Sequence, residues 1–188
     1  LAVVLLCVGM SVKAHRFDQH FARASKAIDR NDWNQVLRET SKAIDYGIFD
    51  PQACLVLGVA HANLGNFSLA LKDNAQTLKY HPNFLNALNN SGLYYNSLQQ
   101  YQKAQDVLLQ AIQIHAKHPD AYANLGISYQ GLKQFDRSVE ALKTAFELEP
   151  NNVAIRAYLG RAYNSQGDSY VRQGNSAKAI ESFDNFLN

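Results

Sequence analysis

Between Asp120 and Gly131 the apolar side chains fall at Tyr122, Leu125 and Tyr129, with Gly126 beside them. Between Asp136 and Leu148 they fall at Val139, Leu142, Ala145 and Phe146. Both sets keep the i, i+3, i+4, i+7 spacing that puts one stripe on one face of a helix. Leu132 to Phe135 reads as the turn between two helices. Pro150 stops the second, and Asn151 with Asn152 makes a corner. A single helix pair cannot bury both of its apolar stripes, so neighbours must stack.

The neighbours are written into the chain. Pro119 to Asn152 is a 34-residue unit, and its columns recur at that period. Gly126 aligns with Gly92, Gly58 and Gly160, and Phe135 with Tyr101, Phe67 and Trp33. Phe146 aligns with Ile112, Leu78 and Ile44, and Tyr129 with Tyr95 and Tyr163. Several independent columns at one period predict a stacked helical array. The glycine column predicts close helix packing, helped by Ala70, Ala104 and Ser138 on the facing helix.

The run Asn124-Leu125-Gly126 with Tyr129, Phe135, Ala141, Ala145 and Pro150 resembles the tetratricopeptide (TPR) repeat, over residues 17–188. The resemblance implies an all-α, right-handed solenoid of helix-turn-helix pairs. The pentatricopeptide repeat has a period one residue longer and reads RNA, and it is set aside on spacing and on the lack of a strong basic charge.

The expected units are about 17–50, 51–84, 85–118, 119–152 and 153–188, after an N-terminal apolar helix in residues 1–16. In the first, Ala24 holds the glycine column and Trp33 the aromatic turn. Ile48 stands in the proline column, so Tyr46-Gly47 is expected to end that helix. The second carries His61 in the tyrosine column. In the third, Ala116 replaces the proline, which predicts a second helix running on to about Lys117. In the fifth, Ala179, Phe183 and Leu187 arrive seven residues late. Seven residues are almost two turns and rotate the face by only ~20°. The insertion is therefore expected to lengthen the first helix, from about Val153 to Gln173. The chain ends inside its last helix without a polar capping helix, which predicts a fragment at that end.

Residues 1–12 are apolar and uncharged, followed by Lys13 and Arg16. Twelve residues are too few to span a bilayer, which takes about 20, but the chain begins at Leu1 and not at Met. Two readings compete. One is the end of a membrane helix continuous with Phe17, Phe21 and Ala24, with Lys13, Arg16 and Arg23 placing the array on the cytoplasmic side. The other is a signal-peptide h-region cleaved near Val12-Lys13-Ala14, which makes the protein periplasmic or secreted.

The net charge of +2 carries no clustered basic stripe and predicts no nucleic-acid partner. Cys7 and Cys54 sit in unlike settings, and Cys54 reads as a small buried hydrophobe. Of six histidines, His115, His118 and His81 sit at corners without matching acidic or cysteine ligands, so no metal site is expected. His61 reads as a polar contact between helices. No nucleophile motif or phosphate loop is present. No cofactor and no catalytic residue are expected, which leaves open a catalytic domain upstream.

The resemblance implies that the first helix of each pair lines a concave groove. The candidate partner-binding residues are Asn86, Asn89, Asn90, Leu93 and Asn96 in the third unit, Asn124, Ile127 and Gln130 in the fourth, and Arg161 and Asn164 in the fifth. Gln52, Leu55, Val59 and Asn63 occupy that face in the second. Asparagine is a poor helix former, and Asn90 and Asn124 share one column. They are similar to the asparagines that hold an extended peptide by its backbone in some TPR arrays; the alternative is that they brace the neighbouring helix. The expected function is a protein–protein interaction scaffold. Its rivals are a docking tail of a membrane glycan ligase or polymerase resembling the O-antigen ligase family, and an exported adaptor.

Overall fold

The computed structural model describes residues 2–47 and 49–187, with side chains described for residues 10–47 and 49–185. Ile48 and the side chains of Cys7 and Leu187 lie outside the described residues. The described chain consists of α1 (Ala2–Ile28), α2 (Trp33–Ile44), α3 (Pro51–Asn63), α4 (Phe67–Tyr80), α5 (Leu85–Ser97), α6 (Tyr101–Ile114), α7 (Pro119–Gly131), α8 (Phe135–Leu148), α9 (Val153–Arg172) and α10 (Ser176–Leu187). It forms two compact bodies, Leu1–Ala87 and Leu88–Asn188.

The helix ends have local causes that repeat. Asp50, His118 and Asn152 stand 34 residues apart or a multiple of it, and each caps a first helix. Asp50 Oδ1 accepts from the Gln52 and Ala53 amides at 2.7 and 3.0 Å. His118 Nδ1 accepts from the Ala121 amide at 3.2 Å. Asn152 Oδ1 accepts from the Ala154 and Ile155 amides at 3.1 and 3.2 Å. Each bond satisfies donors that the first helical turn leaves without a partner. Every first helix closes in a turn whose next-to-last residue is left-handed: Asn31, Gly65, Gln99, Lys133 and Gly174. The following amide then reaches back to the fifth residue before it, as in Gln134 N–H to Tyr129 O at 2.8 Å, the bond of a Schellman motif.

Two expectations change. The helix α6 ends at Ile114 and does not run on to Lys117. His115 is extended, with its N–H on Ala111 O at 3.0 Å. The corresponding His81 and Glu149 end α4 and α8 in the same way, on Thr77 O and Ala145 O. The stop therefore does not need the proline that Ala116 replaces. His118 must be extended to cap α7 and to precede Pro119, so the chain has to leave the helix before it.

The glycine column also moves. The insertion does lengthen α9, which ends at Arg172. Close approach in the last pair then belongs to Gly167, where a Cβ would lie 2.5 Å from the Phe183 ring. Gly167 lies inside α9. Gly92 and Gly126 face Leu108 and Leu142, and Gly58 faces Asn74. In each case the opposing residue lies sixteen positions on. Leu108, Leu142 and Asn74 are fully buried.

In the second body the core runs through Val139, Leu142 and Ala145 of α8 and Ile155 and Ala162 of α9, flanked by Phe146, Tyr158 and Leu159. In the first body Phe17, Ala43 and Ala53 form one cluster, and Ala27, Val36 and Ala60 another. Helix α1 is continuous from Ala2 into this core. Phe17 is its first buried residue among those with described side chains, after an exposed stretch that includes Met10 and Val12. No helix among the described residues is long and apolar enough to cross a membrane.

Candidate functional site

The face formed by α5, α7 and α9 holds all of the candidate partner-binding residues except Asn86, which is exposed in the first turn of α5 within the first body. Their surroundings sort them by role. Asn96 is buried and uses both ends of its amide. Its Nδ2 donates to Asn124 O at 2.8 Å, and its Oδ1 accepts from Ser128 Oγ at 2.9 Å. Asn96 therefore ties α5 to α7. Asn124 Nδ2 donates to Asn89 Oδ1 at 3.0 Å. That bond fixes the amide and leaves Asn124 Oδ1 as an acceptor and the Asn89 NH2 as a donor. Asn90 is half-buried. Gln130 Nε2 donates to Ser165 Oγ at 3.0 Å and links α7 to α9.

The apolar members of the face differ in exposure. Leu93 is 41% exposed, and Ile127 is half-buried. Arg161 lies over the Tyr158 ring, 4.8 Å from its centre, and is exposed, as is Asn164. In the first body Gln52 and Asn63 are exposed and Val59 is half-buried, but Leu55 is buried and belongs to the core. Asn63 turns its amide onto Val59 O at 2.9 Å.

Sequence reading missed several polar links because they join residues that no helical spacing relates. Tyr170 donates its hydroxyl to Asp136 Oδ1 at 2.7 Å, and Gln166 Nε2 donates to the same oxygen at 2.8 Å. The neighbouring carboxylate pushes the Tyr170 phenol up to about 12. Tyrosines on three first helices each lie under a cation from the next helix. Lys103 is 5.8 Å from the Tyr95 ring centre, Arg137 is 4.3 Å from Tyr129 and Lys178 is 5.3 Å from Tyr170. The column signal in Tyr95 and Tyr129 was visible, but its third member is Tyr170 and not Tyr163, again by the shift of seven.

The first body carries histidine–carboxylate pairs instead, one of them with His61 in the tyrosine column. His61 Nδ1 lies 2.6 Å from Asp73 Oδ2, and His20 Nδ1 lies 2.7 Å from Glu39 Oε2. The hydrogen bond from His20 holds Glu39 below the usual carboxylate range. Burial pushes Asp73 up, against the hydrogen bond from His61. Cys54 is a free, buried thiol, and burial raises it further. The His115 and His118 rings meet edge-on, and His118 is committed to its cap. No cluster of three metal-ligating side chains occurs among the described residues.

Helix pairs of this length, glycine-packed and joined by one turn type, define a tetratricopeptide-repeat protein. The chain belongs to that family: tetratricopeptide-repeat models match residues 55–121, 119–152 and 160–187. The solved structures similar to it include MamA 41-end from Desulfovibrio magneticus RS-1, at 24% identity and a TM-score of 0.76, over 92% of this chain and 93% of that one. A crystal structure of MamA protein aligns at 21% identity and a TM-score of 0.77, over 93% and 91%. At these identities the likeness is one of fold. No curated protein matches the chain.

Proposed function

We propose that this chain is a protein–protein interaction scaffold that holds an extended segment of a partner along α5, α7 and α9. The observation that carries the reading is Leu93, an apolar side chain left 41% exposed on an amide-rich face. Ile127 continues the apolar contact on the next first helix. Asn124 offers an acceptor whose orientation is fixed by Asn89, and Asn90 repeats that position one unit earlier. An amide that both donates and accepts suits a peptide backbone. Asn96 and Gln130 support the face as braces, while Arg161 offers a cation to an acidic side chain.

Two hydrogen bonds supply only about 0.5–1.5 kcal/mol each, and a micromolar complex needs about 8 kcal/mol. Leu93 and Ile127 must therefore supply much of the affinity. The test is a partner captured by the whole chain and titrated against Leu93→Asp and the Asn90→Ala, Asn124→Ala double variant. The reading expects weaker binding by both with unchanged melts. Unchanged binding by both overturns it.

The apolar run at residues 1–12 supports a second part of the proposal, membrane contact by the start of α1 with Lys13 and Arg16 at the surface. Recovery of the mature chain beginning at His15 would replace it with a cleaved signal. The glycan-ligase tail rests on resemblance and on this run, and no catalytic role is proposed for the chain.

A further inference from the structure

The turns that join first to second helices in the second body lie against one another in succession. A Cβ on Gly131 would lie 2.5 Å from the Tyr101 ring, so the α7–α8 turn packs on the start of α6. Asp136, at the start of α8, is held by Gln166 and Tyr170 near the end of α9. Two clefts open along this edge at equivalent repeat positions. The first, about 390 Å³, is lined by Gln99 to Lys103 and by Leu132. The second, about 280 Å³, is lined by Lys133 to Arg137 and walled by Ser169, Tyr170 and Gln173. Ser169, Tyr170 and Gln173 are the equivalents of Ser128, Tyr129 and Leu132, displaced by the seven-residue insertion.

Charge follows the same line. Lys103, Lys133, Arg137, Arg172 and Lys178 belong to the turns or the helix ends beside them, against a single acid, Asp136. Asp136 keeps its charge, with Oδ1 engaged by two hydrogen bonds, and is outnumbered by the five cations. Lys103, Arg137 and Lys178 are held in place over tyrosine rings. The acids one turn further from the turns, Asp106, Glu140, Asp168 and Glu181, form no ion pair with these cations among the described residues.

We propose that this turn edge is a second docking surface, separate from the first-helix face, for an extended acidic segment of a partner protein. Its carboxylates would meet the cations, and its apolar side chains would enter the two clefts. The repeat geometry sets the partner's pattern, acidic residues around apolar ones that recur from cleft to cleft. Cations over rings lose little freedom when a carboxylate arrives, and charge complementarity of this kind gives specificity and a salt-dependent on-rate.

The test uses the full chain and a short labelled peptide of glutamates interrupted by leucines, compared with the same peptide carrying glutamines. The variant is Lys103→Gln, Lys133→Gln, Lys178→Gln, all exposed positions, with Arg137 spared because it also bonds Tyr129 and Gln134. The expected result is binding of the glutamate peptide, weakened about tenfold by the triple substitution, the scale of a few exposed ion pairs. The glutamine peptide should bind at least as weakly. Binding that the triple variant leaves intact, or equal binding of both peptides, overturns the proposal. Loss of binding in the Asn90→Ala, Asn124→Ala variant alone assigns the peptide to the first-helix face and also overturns it. A normal response there with no effect at the turn edge leaves the scaffold reading standing.

Discussion

Gly126 lies directly beneath Leu142. A Cβ placed on the glycine would sit 2.5 Å from Leu142 Cγ, closer than two carbons can approach without one of them moving. The same contact joins Gly92 to Leu108, so a missing side chain on α5 and α7 is what lets α6 and α8 seat a fully buried leucine. Ser138 completes the junction by donating to Gly126 O at 2.8 Å.

Overpacking this site should be costly. Gly126→Leu is expected to destabilise by about 1–3 kcal/mol, read from denaturant melts. Gly126→Ala should cost less, and adding Leu142→Ala should not add its full cost to Gly126→Ala, because the second change vacates the space the first one needs. Strict additivity of the two single substitutions would show that the residues do not share that space.

Asn96 and Asn90 should respond differently to truncation. Asn96→Ala removes a buried amide and leaves Ser128 Oγ and Asn124 O without that partner, so a loss of about 1–3 kcal/mol is expected. Asn90→Ala should leave the melt within ~0.5 kcal/mol. Equal effects on stability would place both asparagines in the same structural role.

The left-handed turn position offers a gain. Gln99 has φ 58° and Asn31 has φ 55° where the equivalent Gly65 has φ 81°. A left-handed residue with a Cβ costs about 1–2 kcal/mol, and glycine's extra chain freedom takes back about 0.5–1. Gln99→Gly should therefore stabilise by up to ~1 kcal/mol. Asn31→Gly should be near neutral, since asparagine tolerates this conformation. A lower melting temperature for Gln99→Gly would count against the turn geometry.

The acid limb of stability should carry two opposed contributions in the first body. Glu39 is lowered by its bond to His20, so its contribution is complete above the unfolded value of about 4.3. It is lost as pH falls through the lower folded value. Asp73 is raised, chiefly by burial. Its ionisation opposes folding as pH climbs from the unfolded value of about 3.9 to the folded one. Glu39→Gln should flatten the loss of stability below about pH 4.3, whereas Asp73→Asn should remove a penalty that grows as pH rises. Melts followed from pH 3 to 7 distinguish the two, and identical pH slopes for both variants would contradict these assignments.

Much of the fold was legible because a repeat states its answer several times. The 34-residue period, the apolar stripes and the turn residues fixed the helix pairs, and the seven-residue insertion was readable as two extra turns because it preserves the helical face. The stop of α6 was misread because one proline was taken as the cause where the cap of the following helix decides. The glycine of the last pair was misplaced because strict phase pointed to Gly160, while the lengthened helix puts Gly167 opposite Phe183. Among the candidate residues, the amide-rich face was visible as composition. That Asn96 braces α5 against α7 depends on side-chain direction and on partners some thirty positions away, Asn124 and Ser128.

The sequence by itself determined most of the helix spans and the turns between them, governed by neighbours within a few residues or by the repeat. Only the tertiary structure decided what meets across helices. Leucine against glycine, cation over tyrosine and the tie from Asp136 to Tyr170 depend on how successive pairs stack, and stacking places side by side residues that no single helical period relates.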